Sequence, residues 1–133
     1  MDIDKRAHVS PFRDLIGLRV VEWEEGRCVV EVPITTRLTN HLGGVAGPVI
    51  VSAIDMAGVL AGTFRPEPHP PLKATTIALT TSFVSTSDNQ ESILATAIKM
   101  GGGKKIYTST VNVTTLSGQL LAVGQCNCRY INT

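Results

Sequence analysis

The sequence predicts an α+β domain in which a curved antiparallel sheet wraps around one long central helix. Three observations carry that expectation. One long apolar stretch, Val45 to Phe64, provides a single helix. Segments rich in Val, Ile and Thr lie on both sides of it, two before and four after. The chain has 133 residues, 43% of them hydrophobic, which is enough for one core and too short for two comfortable domains. One sheet covers one helix only by curling round it, so its other face is solvated or meets a second copy.

Residues 1–133 are therefore read as one domain, with 1–10 as a flexible N-terminal segment that includes a surface histidine, His8. Residues 11–17, PFRDLIG, read as a short helix ending at Gly17. Leu18–Trp23 and Arg27–Ile34 read as two strands joined by Glu24-Glu25-Gly26, a plausible hairpin turn. Residues 35–47 are a loop of turn formers and small residues. Pro48 opens the helix, since proline suits a first helical turn, and the helix runs to about Thr63. The segment PEPHPP, 66–71, is a loop. Residues 74–84, 91–100, 104–115 and 120–131 then read as a four-strand meander, with Gly101-Gly102-Gly103 and residues 116–119 as turns.

Composition excludes several functions. A net charge of +1 leaves no broad basic field for nucleic acid. An Asp in mid-membrane costs about 2.5–3.5 kcal/mol on insertion scales, so Asp55 argues against a membrane span over 45–64. Three cysteines, Cys28, Cys126 and Cys128, make no zinc spacing, and no metal site is expected. Reduced thiols and a polar start, MDIDKRAHVSPF, without signal-peptide character give a cytoplasmic expectation.

Two features could carry chemistry. Asp55 is the lone ionisable group on the helix, among Val51, Ala53, Ile54, Met56, Ala57 and Val59. A carboxylate there is costly unless it is hydrogen-bonded or chemically used, so it is either a reacting group or the anchor of a neighbouring loop. Asn40, Gly43, Gly44, Ala46 and Gly47 bring bare backbone to the helix N-terminus, whose unpaired N–H groups can polarise a carbonyl. A tight loop before a helix explains the same glycines.

Taken together, TNHLGGVAGPVIVSAIDMAGVLAG resembles the loop and helix of the phenylacetate-degradation-type (PaaI-like) thioesterases of the hotdog superfamily. Asn40, Gly43 and an acid fifteen residues after Asn40 fit that pattern. TTIALTTSF, 75–83, and VNVTTLSGQLLAVG are similar to later strands of the family, so the resemblance spans roughly residues 11–131. It implies a hotdog fold, a homodimer or homotetramer, and hydrolysis of an acyl-CoA thioester. It needs no cofactor beyond the coenzyme A of the substrate. It implies that Gly47 N–H receives the thioester oxygen, that Asp55 from the partner subunit acts as base or nucleophile, and that Asn40 positions water or the leaving sulfur. Thr76 falls where the family often carries Ser or Thr, though strand propensity also explains it. Ala46, Pro48, Met56 and Val59 line the substrate region.

One departure stands out. Where the family has His-Gly-Gly, this chain has Ala46-Gly47-Pro48. A non-hydrolytic acyl-CoA-binding hotdog protein is the alternative this loss raises. His41 beside Asn40 could replace the missing histidine or face solvent as a loop residue. Lys104 and Lys105, after three glycines, are candidates for the coenzyme A phosphates or a solvated hairpin end. A hydratase, which pairs an acid with a helix histidine, fits less well, and a purely structural subunit remains a further class.

Overall fold

The computed structural model describes residues 2–7, 10–87 and 91–131. His8 lies outside them. The elements are α1 (Ile3–Arg6), α2 (Pro11–Ile16), β1 (Arg19–Glu24), β2 (Arg27–Val32), α3 (Gly47–Leu60), β3 (Ala74–Phe83), β4 (Ile93–Gly102), β5 (Ile106–Thr115) and β6 (Leu120–Tyr130), with a 3-10 turn over Thr36–Leu38. Six antiparallel strands form one sheet in the order β1-β2-β4-β5-β6-β3, and α3 packs against five of them. The expected α+β architecture of a sheet around one helix is present.

Strand order corrects the expected meander. β4, β5 and β6 are consecutive neighbours, but β3 pairs with β6 at the far edge and β4 pairs with β2. Loop lengths explain the difference. Residues 84–92 are too many for an ordinary hairpin, whereas 103–105 and 116–119 fit one. Inserting β4–β6 between β2 and β3 closes the sheet around the helix from both sides. Gly101 and Gly102 extend β4 past a bulge, so the turn is shorter than the glycine run suggested.

The core forms where small residues let helix and sheet approach. Val49, Ile50, Ala53, Ile54, Ala57 and Gly58 face the sheet and are buried. A Cβ at Gly58 would lie 2.4 Å from the Cys126 sulfur, and one at Gly62 would lie 2.2 Å from the Tyr107 ring. Side chains from the sheet also donate to helix carbonyls. Ser109 Oγ bonds Gly58 O at 2.9 Å, Tyr107 Oη bonds Val59 O at 2.6 Å, and Trp23 Nε1 bonds Leu60 O at 2.8 Å. Tyr130 Oη bonds Gly62 O at 2.7 Å. These donors satisfy carbonyls that the end of a helix leaves without intrahelical partners. The helix itself stops at Leu60, and 61–63 form turns in which Gly62 N–H and Thr63 N–H donate to the Val59 and Leu60 carbonyls at 3.2 and 3.1 Å.

Part of the segment expected to be flexible is pinned. Ile3–Arg6 form a helical turn against β1, and Ala7 is fully buried. Arg6 Nη2 donates to the carbonyls of Arg65 and His69 at 2.9 and 3.1 Å. Its guanidinium lies 5.9 and 5.6 Å from the centres of the Trp23 and Phe64 rings. This ties the chain start to the proline-rich loop.

Candidate active site

Asp55 sits half-buried on the side of α3 turned away from the core. Thr76 Oγ1 of the edge strand β3 donates to its Oδ1 at 2.5 Å. The structure thus brings together two residues that lie 21 positions apart. The carboxylate opens onto a cavity of about 360 Å³ whose walls include Met56, Val59, Leu60, Leu18 and Leu72.

The start of α3 forms a second, separate cavity of about 230 Å³. It is bounded by Asn40, Gly44, Gly47, Ile50, Phe83 and Ser87, among others. Ala46 is the N-cap, and Gly47 is the first helical residue, followed by Pro48. Val49 N–H and Ile50 N–H both reach the Ala46 carbonyl, and Pro48 has no N–H. Gly47 therefore keeps the one N–H of this first turn without an acceptor among the described residues. A Cβ at Gly47 would rest 3.4 Å from the Phe83 ring, so Phe83 packs over this side of the helix start.

Asn40 organises the loop that leads there. Its Oδ1 accepts from Leu42 N–H at 2.9 Å and Gly44 N–H at 3.1 Å, and its own N–H donates to Gly44 O at 2.8 Å. Gly43, at φ 86°, supplies the left-handed residue this turn requires. Only the Nδ2 hydrogens of Asn40 stay unassigned. His41 is exposed in the same turn, away from the carboxylate cavity.

Asp55 and Gly47 do not meet within one chain. Eight residues of α-helix separate them by about 12 Å along the axis. They also open into different cavities.

Lys104 and Lys105 are exposed in the β4–β5 turn. Tyr130 N–H donates to Lys105 O at 2.9 Å, and Ile131 N–H donates to Lys73 O at 2.8 Å. Lys73 and Ile131 line the Asp55 cavity, and these bonds set Lys105 and Lys73 at the same end of the sheet. The thiols take no part. Burial pushes Cys28 and Cys126 up to about 12, and it raises Cys128 as well, so each stays protonated at neutral pH. No group of three or more His, Cys, Asp or Glu among the described residues could hold a metal.

Arg13 and Ser10 are among the lining residues of the carboxylate cavity that escaped the sequence reading. In α2 the buried positions are Arg13 and Ile16, while Phe12 and Leu15 are 48% and 78% exposed. The inner face was legible only as the i, i+3 pair Arg13–Ile16, and the neighbouring apolar residues masked it.

A six-stranded antiparallel sheet curled around one long helix defines the hotdog fold, and this chain has it. Its structural neighbours include thioesterase-superfamily proteins. A thioesterase of Haemophilus influenzae superposes with a TM-score of 0.83 at 18% identity, covering 98% of this chain and 88% of that one. The PaaI protein of the E. coli phenylacetic acid degradation operon superposes with a TM-score of 0.82 at 17% identity, covering 98% and 97%. At such identities the likeness shows the fold. In sequence, 46 residues are 41% identical to a Saccharolobus solfataricus protein that carries a provisional esterase name. That match covers 35% of this chain and about a third, 33%, of that protein. No family model matches the sequence. Among the described residues, no helix is long and apolar enough to cross a membrane.

Proposed function

We propose that the protein is an acyl-CoA thioesterase whose active site is shared between two copies of the chain. The observation that carries this reading is the split of the machinery. The carboxylate and the oxyanion donor lie on one helix but in separate cavities. The edge strand β3 supplies a way to join them. It carries no charge and no proline from Ala74 to Phe83, and Ile77 and Phe83 are 54% and 58% exposed. Such an edge is a ready template for pairing. The opposite edge, β1, is guarded by Arg19, Glu22 and Glu24 and by a bulge.

Antiparallel pairing of β3 with its copy about Ala78–Leu79 sets Ala74 of one subunit opposite Phe83 of the partner subunit. Ala74 borders the Asp55 cavity, and Phe83 borders the Gly47 cavity. The two half-sites then face each other, twice per dimer.

In the composite site the thioester oxygen accepts from Gly47 N–H, and the helix N-terminus favours the negative charge that grows there. Asp55, held by Thr76, removes a proton from water as the water oxygen bonds the carbonyl carbon. The tetrahedral intermediate then expels coenzyme A thiolate, which recovers the proton from Asp55, and the free acid remains. Direct attack by Asp55 would instead form a mixed anhydride that water cleaves, with the same net products. In this reading Asn40 Nδ2 orients water or the sulfur. Lys104 and Lys105 are exposed cations suited to the phosphates of coenzyme A, whose nucleotide stays outside the cavity.

Ala46 favours a second reading, binding without turnover, because it offers no imidazole beside the Gly47 donor. Thiol release from a panel of aliphatic and aryl acyl-CoAs separates the two. Turnover that falls about 10²–10⁴-fold in Asp55→Asn supports hydrolysis with Asp55 as the base. Equal rates in both proteins defeat that role. Calorimetric binding without thiol release above background supports the binding protein.

A further inference from the structure

The cavity beside Asp55 has a length that two of its walls measure independently. One wall is a stripe of α3 and the turn after it. Asp55, Met56, Val59, Leu60 and Thr63 line the cavity, and these i, i+1, i+4, i+5 and i+8 positions fall on one face. The other wall is the extended chain Leu72–Ala74, which leads into β3. Two hydrogen bonds tie the walls together at their ends. Thr76 Oγ1 donates to Asp55 Oδ1, and Leu72 N–H donates to Thr63 O at 2.8 Å. From Asp55 to Thr63 the helix and its closing turn advance about 13 Å. From Leu72 to Thr76 four extended residues also advance about 13 Å. The two lengths agree, so the cavity is a trench with the carboxylate at one end and the Leu72–Thr63 backbone bond across the other.

Between those ends the trench is aliphatic. Met56, Val59, Leu60, Leu72 and Ala74 line it, and each keeps accessible surface. Of the polar liners, Thr63 Oγ1 donates to Leu60 O at 3.2 Å, Arg13 Nη2 donates to the Asp4 carboxylate, and Ser10 Oγ accepts from Arg13 N–H. Lys73 is exposed. A van der Waals contact of about 3.5 Å at the closed end leaves about 9 Å for a chain. Successive carbons of an extended chain advance about 1.25 Å, so a carbonyl carbon at Asp55 is followed by about seven more. An acetyl group or a single aryl ring leaves the half bounded by Leu60 and Leu72 unfilled and forfeits that apolar burial. We infer, on the thioesterase reading above, that the acyl group is an aliphatic chain of about eight carbons, laid along α3 from Asp55 toward Thr63. Val59, four residues and about 6 Å from Asp55, lies midway and is a specificity-determining residue.

The test is a chain-length series. Thiol release by the wild-type chain is measured for butyryl-, hexanoyl-, octanoyl-, decanoyl-, dodecanoyl- and phenylacetyl-CoA. The expected kcat/KM rises about two- to fourfold per methylene from butyryl-CoA and reaches its maximum between hexanoyl- and decanoyl-CoA. Phenylacetyl-CoA should be turned over less well than octanoyl-CoA. A maximum at butyryl- or dodecanoyl-CoA, a flat series, or phenylacetyl-CoA equal to or better than octanoyl-CoA overturns the inference and leaves the thioesterase reading standing. Val59→Phe places a ring across the middle of the trench, so the octanoyl-to-butyryl ratio should fall at least about tenfold. A ratio that survives means that the chain does not pass Val59, and it overturns the placement along α3. Should that variant not fold, Leu72→Phe at the closed end serves, with the same expected fall and the same contrary result. If the wild type hydrolyses none of the six esters, the thioesterase reading fails by itself. Calorimetry with the intact esters then decides the inference: tightest binding between hexanoyl- and decanoyl-CoA upholds it, and tightest binding elsewhere, equal binding or no binding overturns it.

Discussion

Gly47 illustrates how much depends on one backbone position. It lies between an N-cap alanine and a proline, so its N–H is the first turn's one donor without an acceptor. Gly47→Pro removes that hydrogen and little else. The first helical position tolerates proline, and Ala46, at φ −64° and ψ 133°, already has the extended conformation a following proline requires. Thiol release should fall about 10²–10³-fold with the melting temperature little changed. An unaltered rate would remove Gly47 N–H from the chemistry. The buried thiols make a separate prediction. Folding holds Cys28 and Cys126 protonated, pushed from 9.0 up to about 12. That preference is fully present below pH 9 and is lost as pH rises toward 12. The unfolding free energy from urea titrations should therefore fall between pH 8 and pH 10, by on the order of 1 kcal/mol for each thiol. Cys28→Ala should show a shallower decline. At this scale Asp55 was legible because a single charge interrupts an apolar run. Arg13 was not legible, because its burial depends on Asp4, which belongs to a segment with no visible pattern.

Among the elements, α3 is the one whose packing sets all the others. Its inner face is made of small residues, and the sheet approaches until backbone and side chain touch. Gly58→Ala would place a methyl group 2.4 Å from the Cys126 sulfur and 2.8 Å from its Cβ. The loss from overpacking should exceed the gain in helix propensity, and chemical denaturation should report about 1–3 kcal/mol of destabilisation. No change in the midpoint would mean that β6 can move away from the helix freely. The helix was readable from its long apolar run and Pro48, and the six strands from their Val, Ile and Thr content and the turn residues between them. The place of β3 was not, because alternation of Thr with Ile and Leu marks a strand without naming its neighbour. The length of 84–92 was the available sign. Thr76 was named through the family resemblance, while as a β-branched strand residue it looked ordinary; the packing of β3 against α3 sets it beside Asp55.

For the whole molecule, the proposed activity belongs to a pair of chains. The helix carries the proposed base, Asp55, and the proposed oxyanion donor, Gly47, about 12 Å apart along its axis, so one subunit does not bring both to one carbonyl. The uncharged edge strand and the half-exposed Val51, Ser52, Asp55, Met56 and Val59 of α3 are the surface on which, in this proposal, a second copy docks. Mixing two defective chains tests this most directly. Asp55→Asn and Gly47→Pro are each expected to be inactive alone, and a mixed dimer contains one intact site, built from Asp55 of one chain and Gly47 of the other. Co-refolding equal amounts should restore about a quarter of wild-type thiol release, since half the dimers are mixed and each has one of two sites working. Activity no greater than that of the two parents, with mixed dimers verified by mass, would contradict a shared site.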